Sequence, residues 1–543
     1  MKDISENKKY FLYIVSILFV YLAVRVVAWN NTILLEDQDS LFYLSSTEAY
    51  LSLDPGRINN LSSDSTPFYP FFSALFSSPG WSTEFGARLC SLIFSLLLFF
   101  AVLGISSNIA DRPTVLVSLV ILSLSPSLIP LSISVLSEPS YIAVVYAGMW
   151  LFFAQYKDPE YWKSALLGII FAAAFLNRVE GIVFLAAIPF LQGLHYFFEK
   201  DRKYNLKHYL VWCSIFASVF SLLAIPQIVH VSSKMESPAI NGRVAWQAVV
   251  GVEDGRSKRE KLYGLDYSES TVNIRYARKH YSEIHRDTSF SVSRLIKKAK
   301  NIVINYKKIY HNILGEVIGP LGFIFFGFGM LSLYASKKGF ELLFILSFIC
   351  FNLVAPLHHS TVGIRHILVL VPIFYILEGI GIIYLVNFLV TENRWFEKFR
   401  HTMPAIFTAI LVLATAHTLK NVIVHPRTSS MAYDPEELRE PMRIISDIST
   451  NESIGSPVIV SKTRFISYFS GSGHFYIPFT DYSGLLKYLR LNNADFLYLT
   501  YRGLGDHPFL NEFSTDSINN EFELLYRKPD KQGMPIELYR FKG

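Results

Sequence analysis

The chain has 543 residues, 51% hydrophobic and only 17% charged, with a mean hydropathy of +0.32. This excludes an ordinary soluble globular protein, and the abundant Phe (44) and Tyr (31) suit rings placed at lipid interfaces. The formal net charge of +6 points to no nucleic-acid partner, because the basic residues sort by membrane topology instead.

Many apolar stretches of about 18–22 residues are long enough to cross a hydrocarbon core of about 30 Å. The expected fold class is therefore mainly α, a polytopic transmembrane helical bundle of about 11 spans. The first run, 11–29, is too long for the apolar region of a signal peptide and lacks a small-residue cleavage site, so it reads as a span. Further spans are expected near 86–106, 115–133, 139–154, 164–176, 181–198, 210–231, 313–334, 340–356, 367–386 and 404–424. Cys90, Cys213 and Cys350 lie far apart inside apolar runs and read as small core residues rather than a disulfide or metal set.

Lys8 and Lys9 precede the first span and place the N-terminus in the cytoplasm by the positive-inside rule. Alternation then puts every short Lys/Arg-rich connection on that same side: 199–203, Lys337-Lys338 and 394–401. Three non-membrane pieces share the outer face. The loop 30–85 holds a helical-looking stretch at 40–53 and turn chemistry at Asp54-Pro55-Gly56. The loop 231–312 carries a basic amphipathic run, 293–303, that suits a helix at the headgroup level. The tail 425–543 reads as a small extracytoplasmic α/β domain beside a membrane unit 1–424. Within it, 456–461 and 495–500 read as buried strands and 482–491 as a helix, and 522–527 pairs with 536–541 through Gly533.

Acids at the lip of a helical bundle are costly and invite a functional reading. Asp37 and Asp39 lie just past the first span, and Asp39, Tyr43 and Thr47 share one face if the stretch is helical. A carboxylate there can act as a general base, cap the helix or simply be solvated. Glu138 precedes Pro139 at the outer start of a later span, where it suits either a helix N-terminus or a substrate. Arg178 and Glu180 occupy a short outer turn, and Arg365 follows His358-His359 on the same face. Guanidinium groups match phosphate oxygens, although Arg178 can equally pair with Glu180 and Arg365 can snorkel to headgroups. His358 and His359 have no obvious third metal ligand.

Asp39-Ser40-Leu41-Phe42-Tyr43, followed by Thr66-Pro67-Phe68-Tyr69-Pro70, resembles the acidic first loop and Pro-Pro-Leu-Tyr motif of GT-C glycosyltransferases. Within that superfamily the chain is similar to the bacterial branch related to protein O-mannosyltransferases and lipid A aminoarabinose transferases. Leu176-Asn177-Arg178-Val179-Glu180-Gly181 resembles that branch's Thr-Arg-Pro-Glu-Gly turn, and the segment from Ile364-Arg365-His366 to Pro372 its Arg-Tyr-Leu-Leu-Pro helix start. Ser137-Glu138-Pro139 occupies the place of a second acidic site.

The resemblance implies an inverting sugar transferase of the cytoplasmic membrane. Its partners would be a polyprenyl-phosphate-linked donor, membrane lipid, and a glycan, lipid or protein acceptor. It makes Asp39 the catalytic base, assigns Asp37, Tyr43, Glu138 and Glu180 to acceptor or sugar positioning, and gives Arg178, Arg365 and His359 to the donor phosphate. It implies no certain cofactor and leaves a divalent metal open. Ser65 stands where aminoarabinose transferases carry a lysine, and Thr66 replaces the first proline. Donor binding therefore falls to other basic groups. The competing reading is a transporter or flippase for a lipid-linked saccharide, which would also need intramembrane charges; no repeat between halves supports it.

Overall fold

The computed structural model describes residues 2–31, 38–61, 66–78, 80–199, 204–235, 240, 292–312, 317–358, 365, 367–416, 418–420, 435–478, 481–501, 509–510, 513, 520–530 and 533–543. Five helices are long and apolar enough to cross a membrane: Glu6–Asn30, Thr83–Ile109, Val179–Phe198, Leu206–Lys234 and Leu368–Glu392. Shorter apolar helices such as Tyr161–Asn177, Gly319–Ala335 and Gly339–Leu353 pack among them. The protein is an integral-membrane helical bundle with a small sheet appended.

Local sequence sets the helix ends. Ser82 accepts from the Phe85 N–H to open α1 (Thr83–Ile109), and Asp111 accepts from the Thr114 N–H to open α2 (Arg112–Ser123). The span expected at 115–133 is interrupted, because α2 stops at Ser123 and a separate turn, Leu128–Leu131, follows. Pro126 lies in the gap; it lacks an N–H and disfavours helix at the residue before it. The freed Ser125 hydroxyl takes over, accepting from the Leu128 N–H and pairing with the Tyr375 hydroxyl at 2.7 Å.

Small residues bring helices together inside the bundle. A Cβ at Gly381 would run into the Phe325 carbonyl, and one at Gly329 into the Leu377 carbonyl. These glycines therefore allow close backbone approach between α3 (Gly319–Ala335) and α4 (Val371–Glu392).

The tail forms a five-stranded sheet from β1 (Val458–Ser461), β2 (Gly473–Tyr476), β3 (Phe496–Thr500), β4 (Phe522–Pro529) and β5 (Pro535–Phe541), in the order β2-β1-β3-β5-β4. β1 runs parallel to β2 and β3, while β5 is antiparallel to β3 and β4. The expected hairpin is present, with Gly533 at φ +81, a value that favours glycine. β2 was not expected; four residues beginning with Gly473 carry too little alternation to announce a strand.

Both sheet faces are covered, which is why these strands read as continuous apolar runs. Val460, Leu497 and Leu499 pack with Leu485 and Leu489 of the helix Tyr482–Leu491. Ile459, Phe496, Tyr498 and Ile536 belong to the same continuous apolar cluster as the bundle. Tyr468 seals that junction by donating to Glu48 Oε1 at 2.6 Å.

Candidate active site

The loop expected at 30–85 is largely helical where described. α5 (Gln38–Leu51) opens with Asp39 in its first turn, where a carboxylate suits the unpaired N–H groups and the helix dipole. Asp39, Tyr43 and Thr47 form the expected stripe, and all three are buried, Asp39 at 8% exposure. Tyr43 hydrogen-bonds Ser137 at 2.7 Å and sets its ring edge against Tyr69, centroids 5.2 Å apart. Tyr69 in turn donates to the Ala87 carbonyl at 3.0 Å. α5 is thereby keyed to the bundle on the face that carries Asp39.

Arg365 reaches that face from far along the chain, its Nη1 lying 2.9 Å from Asp39 Oδ2. The backbone just after Arg365 is clamped by Tyr146, whose hydroxyl donates to the Val369 carbonyl (2.9 Å) and accepts from the Ile373 N–H (2.8 Å). The pair is thus built from three separate elements.

Glu138 begins α6 (Glu138–Phe153), with Pro139 in the first turn, and is only 3% exposed. Arg178 follows α7 (Tyr161–Asn177) in an extended conformation and enters a 3-10 turn, Val179–Val183. That turn folds back tightly: a Cβ at Gly181 would lie 2.5 Å from the Phe175 nitrogen, so glycine is required there. Arg178 Nη1 meets Glu138 Oε1 at 2.6 Å, and Nη2 meets Glu180 Oε1 at 2.8 Å. Burial works against the charge on Arg178, but Glu180 and Glu138 outweigh it and hold the guanidinium well above its ordinary pKa. Glu138 Oε2 is buried with no hydrogen-bond partner among the described residues.

A neutral hydrogen-bond chain lies beneath these ion pairs. The Thr66 hydroxyl donates to the Asn177 carbonyl. Asn177 Nδ2 donates to Ser140 Oγ at 2.7 Å, and Ser140 Oγ to the Ser137 carbonyl at 2.9 Å. Ser137 closes the chain on Tyr43. Proline at position 66 could not supply the first of these bonds, so the departure at Thr66 ties the first loop to the arginine turn.

The charged groups meet at a cleft. Glu138, Arg178, Glu180 and Arg365 line it together with Tyr141, Ile142, Asn352 and Val369. Three carboxylates (Asp39, Glu138, Glu180) and two guanidiniums (Arg178, Arg365) thus meet at one end of the bundle. Among the described residues, no group of three or more His, Cys, Asp or Glu side chains is gathered as a metal-ligand set.

Comparison with known proteins agrees with this architecture. Residues 64–230 match the family model described as dolichyl-phosphate-mannose-protein mannosyltransferase. The chain superposes on ArnT from Cupriavidus metallidurans bound to undecaprenyl phosphate with a TM-score of 0.52 and 11% identity, covering 97% of this chain and 98% of that one. The chain shares the fold of that structure. An archaeal oligosaccharyltransferase from Archaeoglobus fulgidus, complexed with Zn and sulfate, is similar in fold (TM-score 0.61, 10% identity, 97% of this chain and 72% of that one). The Archaeoglobus fulgidus AglB complex with an inhibitory peptide and a dolichol-phosphate matches at TM-score 0.56 and 11% identity, covering 98% of this chain and 74% of that one. No curated protein matches the chain at a significant level.

Glu138, Arg178 and Glu180 lie within the stretch matched by the family model, whereas Asp39 and Arg365 lie outside it and are brought to it by the fold. Asp37 and His359 lie outside the described residues, as does Ser65. The sequence reading missed Asn352 and Tyr141 as cleft residues, and Thr66 and Asn177 as the link between loop and turn. A polar Asn inside an apolar helix was the available signal for Asn352.

Proposed function

We propose that the protein is an inverting glycosyltransferase that moves a sugar from a polyprenyl-phosphate-linked donor to an acceptor hydroxyl at the outer membrane face. The observation that carries this reading is the pairing of Asp39 with Arg365, 2.9 Å apart, where Arg365 lines one cleft with Glu138, Arg178 and Glu180. A base and a phosphate-binding group must both sit at the reacting bond, and Arg365 on the cleft wall with Asp39 paired to it would supply both. The GT-C fold and neighbours bound to undecaprenyl phosphate and dolichol-phosphate support the donor class.

In this mechanism Asp39 accepts the proton of the acceptor hydroxyl as its oxygen attacks the anomeric carbon. The carbon–oxygen bond to phosphate breaks, and the electron pair leaves with the polyprenyl phosphate. Half-buried Arg365 is the group a donor phosphate reaches, so donor entry draws the guanidinium towards the phosphate and releases Asp39 for the acceptor. Arg178 is fixed by two carboxylates; it holds Glu138 and Glu180 towards the sugar or acceptor and adds positive potential beside the leaving group. Asp37, Tyr43 and His359 complete the proposed positioning and phosphate set. The orientation that fits is N-terminus in the cytoplasm and tail outside, in the cytoplasmic membrane. The acceptor can be a glycan, a lipid or a protein.

A doubly labelled donor separates transfer from transport. With tritium in the sugar and phosphorus-32 in the phosphate of polyprenyl-phosphate mannose, washed membranes containing the overexpressed protein are expected to part the two labels. Tritium enters an acceptor and phosphorus-32 stays in lipid. Labels that cross the bilayer together, with none parted, would establish the flippase instead.

A further inference from the structure

Asn352 lies in α8 (Gly339–His358), an apolar helix in which a carboxamide is costly. It lines the cleft and is only 7% exposed. Its Nδ2 donates to the Phe348 carbonyl at 2.9 Å, one turn back. Because that carbonyl can only accept, the bond is made by the nitrogen: one of its two N–H groups goes to the helix, and the carboxamide keeps Oδ1 as its acceptor. The same lining holds the apolar Ile142 and Val369 and the charged Glu138, Arg178, Glu180 and Arg365, and Asn352 is its neutral carboxamide.

We propose that Asn352 is a specificity-determining residue that accepts a hydrogen bond from one ring hydroxyl of the donor sugar. This rests on the sugar-transfer reading above and adds to it the group that reads the sugar. In that reading Arg178 and Arg365 serve the phosphate, Asp39 takes the proton, and Glu138 and Glu180 are held towards the sugar or acceptor. A neutral carboxamide oxygen is complementary to a neutral donor, and a sugar hydroxyl is the group the proposed donor would present there. A buried acceptor left unpaired discriminates strongly against an analogue lacking its partner hydroxyl.

The test measures dissociation constants for the purified full-length protein with undecaprenyl-phosphate mannose, glucose and galactose, their monodeoxy analogues, and undecaprenyl phosphate alone. In the wild type, removing one particular hydroxyl is expected to weaken binding about 10-fold or more. In Asn352→Leu that penalty falls below about threefold, while undecaprenyl phosphate alone binds within about twofold of wild type. Asn352→Ala gives the same pattern if the leucine variant fails to fold. An unchanged deoxy penalty in the variants, or an equal loss of undecaprenyl phosphate binding, overturns the assignment to Asn352. If no sugar-bearing donor binds the wild type better than undecaprenyl phosphate alone, the sugar-transfer reading itself fails.

Discussion

Asp39→Asn is expected to lower the rate of sugar transfer by about 10²–10⁴-fold, the range a positioned general base contributes. Asparagine keeps the shape and a hydrogen-bond acceptor for Arg365, so α5 should stay seated through Tyr43 and Ser137. What is lost is the carboxylate that takes the proton. Donor binding should hold or tighten, because Arg365 no longer shares its charge with a buried carboxylate. The signature is therefore a fall in kcat with an unchanged or lower KM for the donor. A merely structural role for Asp39 would instead raise KM or reduce the folded yield. Transfer within about threefold of wild type in a folded variant would remove Asp39 from the base position.

Arg178→Met is expected to be the most damaging single change to stability around the cleft. Glu138 is only 3% exposed, and the bond from Arg178 is the one found to its Oε1, while Oε2 has none among the described residues. Removing one partner of a buried pair leaves an uncompensated charge, at a cost of about 3–5 kcal/mol. Glu180 is less buried and can turn to solvent, so Glu138 dominates that loss. Thermal unfolding in detergent should show a large drop in midpoint for Arg178→Met. Adding Glu138→Gln should recover much of it, because the orphaned charge is then gone. Equal damage in the single and double variants would mean that Arg178 acts through packing, for example against the Tyr141 ring, rather than through the ion pair.

The elements of the site were more legible in the sequence than its pairings. The four-residue steps from Asp39 to Tyr43 to Thr47 are visible in any helical reading and are present, as is the Arg178–Glu180 neighbourhood. The bonds that assemble the cleft, Arg178 to Glu138 and Arg365 to Asp39, depend on how separate helices are rotated and stacked, which no local spacing encodes. Helix positions followed from apolar length, whereas the break at Pro126 shows a proline outweighing hydropathy. β2 was hidden by its shortness, and Asn352 by the apolar run around it. The arginine turn is an intermediate case: the tight return at Gly181 was readable as a motif, but not the hydrogen bond from Thr66 that anchors it.

The central claim is a single displacement in which Asp39 activates the acceptor and no sugar–enzyme bond forms. The anomeric configuration of the product tests it most directly, measured by NMR on the new linkage and compared with that of the donor. The account predicts inversion. Retention of configuration would require a covalent intermediate or a second displacement and would contradict it.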